Sequence, residues 1–272
     1  MMKGKNALLW IFSIIFTLAV AYYQRSTGPT YEKRGKVVLD GSTIKYKLIR
    51  SAESVEDAAV KIKIEDKEVM GAIKYKRYKT NDEWVSFPMI RVDDDLVGIL
   101  PVQPPAGKLE YQIALTKGEK FVLLTDEPVV IRFTGAVPLY VLIPHVIIMF
   151  FAMMMSTRTM LEAIFRKKST YTFAWITVVS FFVGGLILGP VVQKYAFGEF
   201  WTGWPFGQDL TDNKTLVAWV VWLVALVRIH KNRNNLTWPV IAGIVLLLVY
   251  LIPHSMFGSE LDYNSGEIMT GE

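Results

Sequence analysis

Five stretches of this chain are apolar for long enough to form buried or bilayer-crossing helices, and the stretch between the first two alternates. The apolar runs span Ala7 to Tyr23, Val137 to Met155, Tyr171 to Val192, Leu216 to Ile229 and Trp238 to Met256. A helix needs about 20 such residues to cross a hydrocarbon core. The fourth run is short and needs Thr215 or a snorkelling Arg228 to complete it. No run has a charged residue in its interior.

The intervening residues, 24–136, change character. Thr43-Ile44-Lys45-Tyr46-Lys47-Leu48 alternates, as do Ala59-Val60-Lys61-Ile62-Lys63-Ile64, Ile73-Lys74-Tyr75-Lys76 and Leu109-Glu110-Tyr111-Gln112-Ile113. A period of two with one apolar face predicts half-buried strands. Asp40-Gly41, Asp93-Asp94-Asp95, Pro104-Pro105-Ala106-Gly107 and Lys117-Gly118-Glu119 punctuate them as turns. Seven to eight short strands in this length predict a two-sheet β-sandwich of immunoglobulin-like architecture, with Trp84 and Tyr111 as its core aromatics. The chain has no cysteine, so the antibody disulfide is absent and the likeness is one of architecture alone.

The expected fold class is therefore a membrane α+β protein. An N-terminal anchor or signal segment (1–23) precedes an external, periplasmic β-sandwich (24–136). A four-span transmembrane bundle (137–256) with an aromatic outer loop (193–214) follows, then an acidic tail (257–272). The first segment has two readings. Lys3 and Lys5 before an apolar run, with Ala19-Val20-Ala21 behind it, suit a cleaved signal peptide. Tyr22 and Tyr23 at an interface suit a retained anchor.

Charge orients the spans. Arg158, Arg166, Lys167 and Lys168 follow the second run, and Arg228, Lys231 and Arg233 follow the fourth. The loop at 193–214 has only Lys194 and Lys214, and the tail has no Lys or Arg. Positive loops face the cytoplasm, which places the N-terminus inside and the β-domain and C-terminus outside a bacterial inner (cytoplasmic) membrane. The formal net charge of +5 then reflects topology, and nucleic acid is not an expected partner. The lysines of the β-domain (Lys45, Lys47, Lys61, Lys63, Lys74, Lys76) read as the solvated face of its strands.

Candidate chemistry is sparse. No P-loop, dinucleotide-binding, zincin, nucleophile-elbow or CxxC pattern occurs, so the reading leans away from an enzyme without excluding one. No internal duplication of spans is evident, which argues against a transporter of the repeat kind. Of three histidines, His230 sits on a basic edge. His145 and His254 each close a Leu-Ile-Pro-His tetrad on the outer side of different spans. Ionisable groups within spans face a bundle interior by default. Two such imidazoles are candidate axial ligands for haem b, or, with Asp209 and Asp212 of the outer loop, ligands for a divalent metal. The bland reading of both is interhelical hydrogen bonding. The loop aromatics Trp201, Trp204 and Phe206 read as a ligand-binding or interfacial surface. Two functions remain: a cell-envelope protein, embedded in the lipid bilayer, whose external domain binds a protein partner or ligand, or a membrane redox or metal protein built on His145 and His254.

Overall fold

The computed structural model describes residues 2–165, 169–253, 256 and 258–270, with side chains from Lys5 onward. His254 lies outside the described residues. The chain separates into two compact units. One is helical and comprises 1–28, 137–258 and 270–272; the other is the β unit, 29–136 with 259–269.

The β unit opens with a hairpin, β1 (Lys33–Leu39) and β2 (Ser42–Leu48), closed by Asp40 and Gly41 at φ 50 and 76. Two central residues in the left-handed region make this the two-residue turn whose twist matches the strands. Nine strands follow: β3 (Ser51–Glu53), β4 (Ala58–Lys63), β5 (Met70–Arg77), β6 (Val85–Pro88), β7 (Ile90–Val92), β8 (Asp95–Leu100), β9 (Lys108–Lys117), β10 (Lys120–Leu123) and β11 (Val129–Thr134). The larger sheet runs β3-β11-β9-β5-β6, with β10 also on β9, and the smaller runs β4-β8-β7. Every pairing is antiparallel except β3 with β11.

The alternation fixes which face is buried. In β4, Ala58, Val60 and Ile62 point inward while Ala59, Lys61 and Lys63 face water. Leu109, Tyr111, Ile113 and Leu115 of β9 join the same core. The two sheets meet where Ile73 of β5 packs on Gly98 of β8. A Cβ there would stand 3.0 Å from Ile73 side-chain carbons, so any larger residue requires Ile73 to shift within the core. Tyr111 is a core aromatic as expected: it is fully buried and its hydroxyl donates to the Ile49 carbonyl at 2.9 Å. Burial pushes its phenol above the usual range. Trp84 is not: it is 36% exposed, just before edge strand β6, with the Lys74 and Lys76 ammoniums 4.9 and 5.5 Å from its ring. Alternation counted from Val85 puts Trp84 on the outer face, where two lysine stems cover the indole.

Residues 259–269 are part of this unit. They form the hairpin β12 (Glu260–Leu261) and β13 (Ile268–Met269). Leu261 N–H donates to the Ala106 carbonyl at 3.1 Å, and the Tyr263 hydroxyl lies 2.9 Å from the Lys108 carbonyl. Glu260 bonds Lys108 and sits 3.2 Å from Lys79. Glu260 of this segment thus neutralises two β-unit lysines.

In the helical unit, α1 (Met2–Thr27), α2 (Leu139–Ile164), α3 (Thr170–Phe181), α4 (Gly189–Phe197), α5 (Leu210–Lys231) and α6 (Thr237–Leu251) account for all five apolar runs. A π-helical segment, Phe182–Leu188, joins α3 to α4 in one 28-residue run. Four helices, Lys5–Thr27, Leu139–Ile164, Thr170–Phe197 and Leu210–Lys231, are long and apolar enough to cross a membrane. The fifth, α6, has 15 residues, or roughly 22 Å. It stops before Pro253, and its last carbonyls find side-chain donors. Gln24 Nε2 reaches Tyr250 O at 3.2 Å, and Lys214 Nζ reaches Ile252 O at 3.0 Å.

One difference from the sequence expectation matters for function. The second helix continues nine residues past its apolar run, so Arg158 lies inside a helix rather than in a loop. Its partner Glu162 is one turn on, and a charge pair at that spacing lets the helix continue.

Candidate functional site

The loop between α4 and α5 folds around its carboxylates. Asp212 Oδ2 accepts from the backbone amides of Thr202 at 2.7 Å and Gly203 at 3.0 Å. Gln193 Nε2 donates to Thr202 Oγ1 at 2.6 Å, and Asn213 Oδ1 accepts from the Trp204 amide at 2.6 Å. Asp209 is the N-cap of α5, its Oδ1 accepting from the Thr211 and Asp212 amides at 2.8 and 3.4 Å. A carboxylate there satisfies amides that have no intrahelical acceptor and faces the positive end of the helix. Both acids are thus engaged with backbone amides. Among the described residues no group of three or more His, Asp or Glu is arranged to hold a metal ion.

The aromatics of the same loop divide. Trp201 turns its Nε1–H onto the Trp204 carbonyl at 3.1 Å, and Trp204 precedes a cis proline, Pro205. Trp204 and Phe206 are 69% and 84% exposed, and Phe200 is exposed beside the Lys194 ammonium. The loop therefore holds a rigid polar floor under a set of uncovered rings.

His145 is one residue after Pro144, within α2. Its Nδ1–H donates to the Gly184 carbonyl at 2.9 Å, which leaves Nε2 as the acceptor nitrogen. Gly184 lies in the π-helical segment. A Cβ at Gly184 would be 2.9 Å from Met149 Sδ, and one at Gly185 would be 2.8 Å from Thr215 Cγ2. These glycines let α2 and α5 close onto the segment, so side chains fill the space a flat ring would need beside them. Of the proposed histidine pair, the described residues present His145 alone.

The opposite end of the bundle holds a cluster the sequence reading missed. Arg158 and Glu162 are 1% and 2% exposed, with Nη1 and Oε2 2.7 Å apart. The angle falls outside hydrogen-bond geometry, so the contact is an ion pair, and Arg158 Nε has no acceptor among the described residues. Arg158 Nη2 donates to Asn6 Oδ1 of α1 at 2.6 Å. Its guanidinium sits 5.1 Å from the ring centres of both Trp10 and Phe173, which themselves meet edge to face at 5.7 Å. Nearby, Trp222 Nε1–H donates to Ser156 Oγ at 3.0 Å, and Thr159 and Thr177 hydroxyls lie 3.1 Å apart. Polar side chains thus join α1, α2, α3 and α5, as expected where the surroundings cannot hydrate them. The signal was in the sequence: Asn6, Trp10, Ser13, Thr17, Val20 and Gln24 recur every three or four residues. Ser13, Thr17 and Val20 of this stripe are buried.

On the β unit, the uncovered surface is its edge. All four residues of β6 are exposed, with Val85 and Phe87 each at 45%, and the neighbouring edge strand β7 exposes Ile90 and Val92. Compared with known proteins, the chain matches no family, no curated relative and no solved structure. Its function is read from these sites alone.

Proposed function

We propose that the chain is a non-enzymatic integral protein of the bacterial inner membrane whose external domain docks a protein partner along the β6–β7 edge. The observation that carries the docking is that edge. An edge strand paired on one side only, with four exposed residues, two of them large and apolar, is a ready template for an added strand, and soluble domains normally blunt such edges. The lysines beside Trp84 favour a partner segment with acidic flanks. The strand order supports reading the unit as immunoglobulin-like: β9 and β11 pair within one sheet, and the smaller sheet sets β4 beside β8 across the intervening strands.

The proposed topology keeps the N-terminus inside and the β-domain and C-terminus outside. Two observations support it. Four helical passes separate residue 136 from residue 259, and both sides of that interval belong to one β unit. The α1 stripe, ending in Asn6 on Arg158 and Gln24 on α6, supports a retained helix rather than a cleaved leader. A reporter fused at Ser169 should read cytoplasmic and one at Gly207 external; the reverse pattern overturns the topology. A purified protein whose mass lacks residues 1–21 overturns the retained helix.

For docking, a photo-crosslinking residue at Phe87 in the full chain should give a discrete protein adduct in cells, while one at Lys45 should not. Adducts at both positions or at neither overturn the edge as the docking surface.

A further inference from the structure

The loop after α5 and the start of α3 bring together cations that no carboxylate balances. Between Val137 and Gly258 the only acids are Glu162, Glu199, Asp209 and Asp212. Glu162 is buried on Arg158; Asp209 and Asp212 serve the loop between α4 and α5, as does the sequence position of Glu199. Arg228, Lys231 and Arg233 are exposed and have no ion-pair partner among the described residues. Two of them are nevertheless held in place. The Arg233 guanidinium stacks 3.2 Å from the Tyr171 ring centre, and Arg228 lies 5.2 Å from that of Trp238. Tyr171 also holds His230, hydroxyl to Nδ1, at 2.8 Å. Stacking fixes the plane of a guanidinium but uses none of its five N–H donors. Surface cations that merely record membrane orientation need no such ordering. Here one guanidinium is held on an aromatic face and a second lies within cation–π reach of another ring, flanking Lys231 in sequence at the end of a bilayer-length helix, where lipid phosphates lie.

We propose that this end of α5, with Tyr171 and Trp238 as stacking platforms, is a binding site for the phosphate of an anionic phospholipid. Arg228 and Arg233 supply forked donors, and Lys231 adds a point charge. The lipid's acyl chains lie against the exposed Val224 and Val227 one turn back. The proposal rests on the bilayer reading but not on which side of the membrane the site faces, so the reporter fusions test that reading separately.

The test is native mass spectrometry of the full-length protein in neutral detergent, titrated with phosphatidylglycerol or phosphatidylcholine. Phosphatidylglycerol should bind in preference. The double variant Arg228→Gln/Arg233→Gln should lose about 25-fold in that affinity, at roughly a factor of five per cation. Lys45→Gln/Lys47→Gln, with the same loss of charge on the β unit, should leave it unchanged. Arg228→Lys/Arg233→Lys keeps the charge and removes the forks, so it should also weaken binding, and it supplies the readout if the glutamine variant does not fold. Equal binding of the two lipids, equal loss in the β-unit control, or full retention in the lysine variant overturns the site. Displacement of phosphatidylglycerol by equimolar inorganic phosphate would reassign it to free phosphate and overturn the lipid.

Discussion

Arg158 shows how a charge becomes acceptable inside a helical bundle. Its guanidinium has a carboxylate, an amide oxygen and two aromatic faces as surroundings, and each comes from a different turn or helix. Removing one member leaves the other charge buried without compensation, which costs about 3–5 kcal/mol. Glu162→Ala should therefore lower the melting temperature of the detergent-solubilised protein sharply. Arg158→Met/Glu162→Leu, which removes both charges at similar volume, should recover most of that loss. On the β unit the same chemistry sits at the surface and behaves differently. Lys117 contacts Asp66 at 2.6 Å, Glu68 at 3.2 Å and Asp40 at 3.4 Å, and Lys120 also bonds Asp40. Hydrogen bonds from Lys120 and Lys117 hold the Asp40 carboxyl below its ordinary 3.8, and Lys117 does the same for Asp66. A carboxyl depressed in the folded state stabilises fully above its ordinary value, and that stability is lost as pH falls through the depressed one. Hydrogen-exchange protection of the turns at 39–42 and 117–120, corrected for intrinsic rates, should drop as pH falls below about 4. Lys117→Met should start lower and show a flatter dependence.

At the scale of elements, the composition of two segments conceals their internal pattern. The first helix has the apolar run and basic flank of either an anchor or a leader, and its buried face is a repeat of small and polar residues. Hydropathy averages around the helix and hides a stripe; the three-four spacing from Asn6 to Gln24 reveals it. The loop between α4 and α5 offers acids that the sequence pairs with histidines as metal ligands. In the structure Asp212 organises the backbone amides of Thr202 and Gly203, and His145 gives Nδ1–H to the π-helical segment and keeps Nε2 as an acceptor. Asp212→Ala should strip acceptors from two buried amides, costing about 1–3 kcal/mol, and should raise proteolysis within 198–208 before any loss of helix content. The β-strands were the most legible elements, since one face is solvated and the period of two survives in the residues. Trp84 was misplaced because a bulky aromatic outside any alternating run carries no face of its own. Arg158 was misplaced because a charge ends an apolar run on paper, whereas a partner at i+4 lets the helix continue.

At the scale of the whole molecule, the residues least expected to matter are the last ones. Read by charge, 257–272 is an acidic tail. In the structure, Glu260 sits among Lys79 and Lys108, Tyr263 packs under the Arg77 guanidinium 5.2 Å away, and burial pushes the Tyr263 phenol up to about 12. Burial likewise lowers Lys108, against the pull of Glu260. Ending the chain at Gly258 should leave these lysines and the Ala106 carbonyl without their partners. Thermal unfolding of the β unit, followed by exchange in the full-length background, should then begin at lower temperature. Tyr263→Phe should reproduce part of the effect, about 1 kcal/mol for one hydrogen bond.

That closing hairpin also sets the order of manufacture. A ribosome makes residues 29–136 first, then four helical segments, and only at the end the eleven residues that finish the β unit. The β unit therefore cannot reach its final fold while the helical segments are still being made. Until residues 259–269 have been added and reach the sheet, Lys108 and Arg132 lack the carboxylate and the carbonyl that they bond. A chain stopped before that point displays an unfinished β unit. Completion of that unit thus waits on every helix that lies between its two parts.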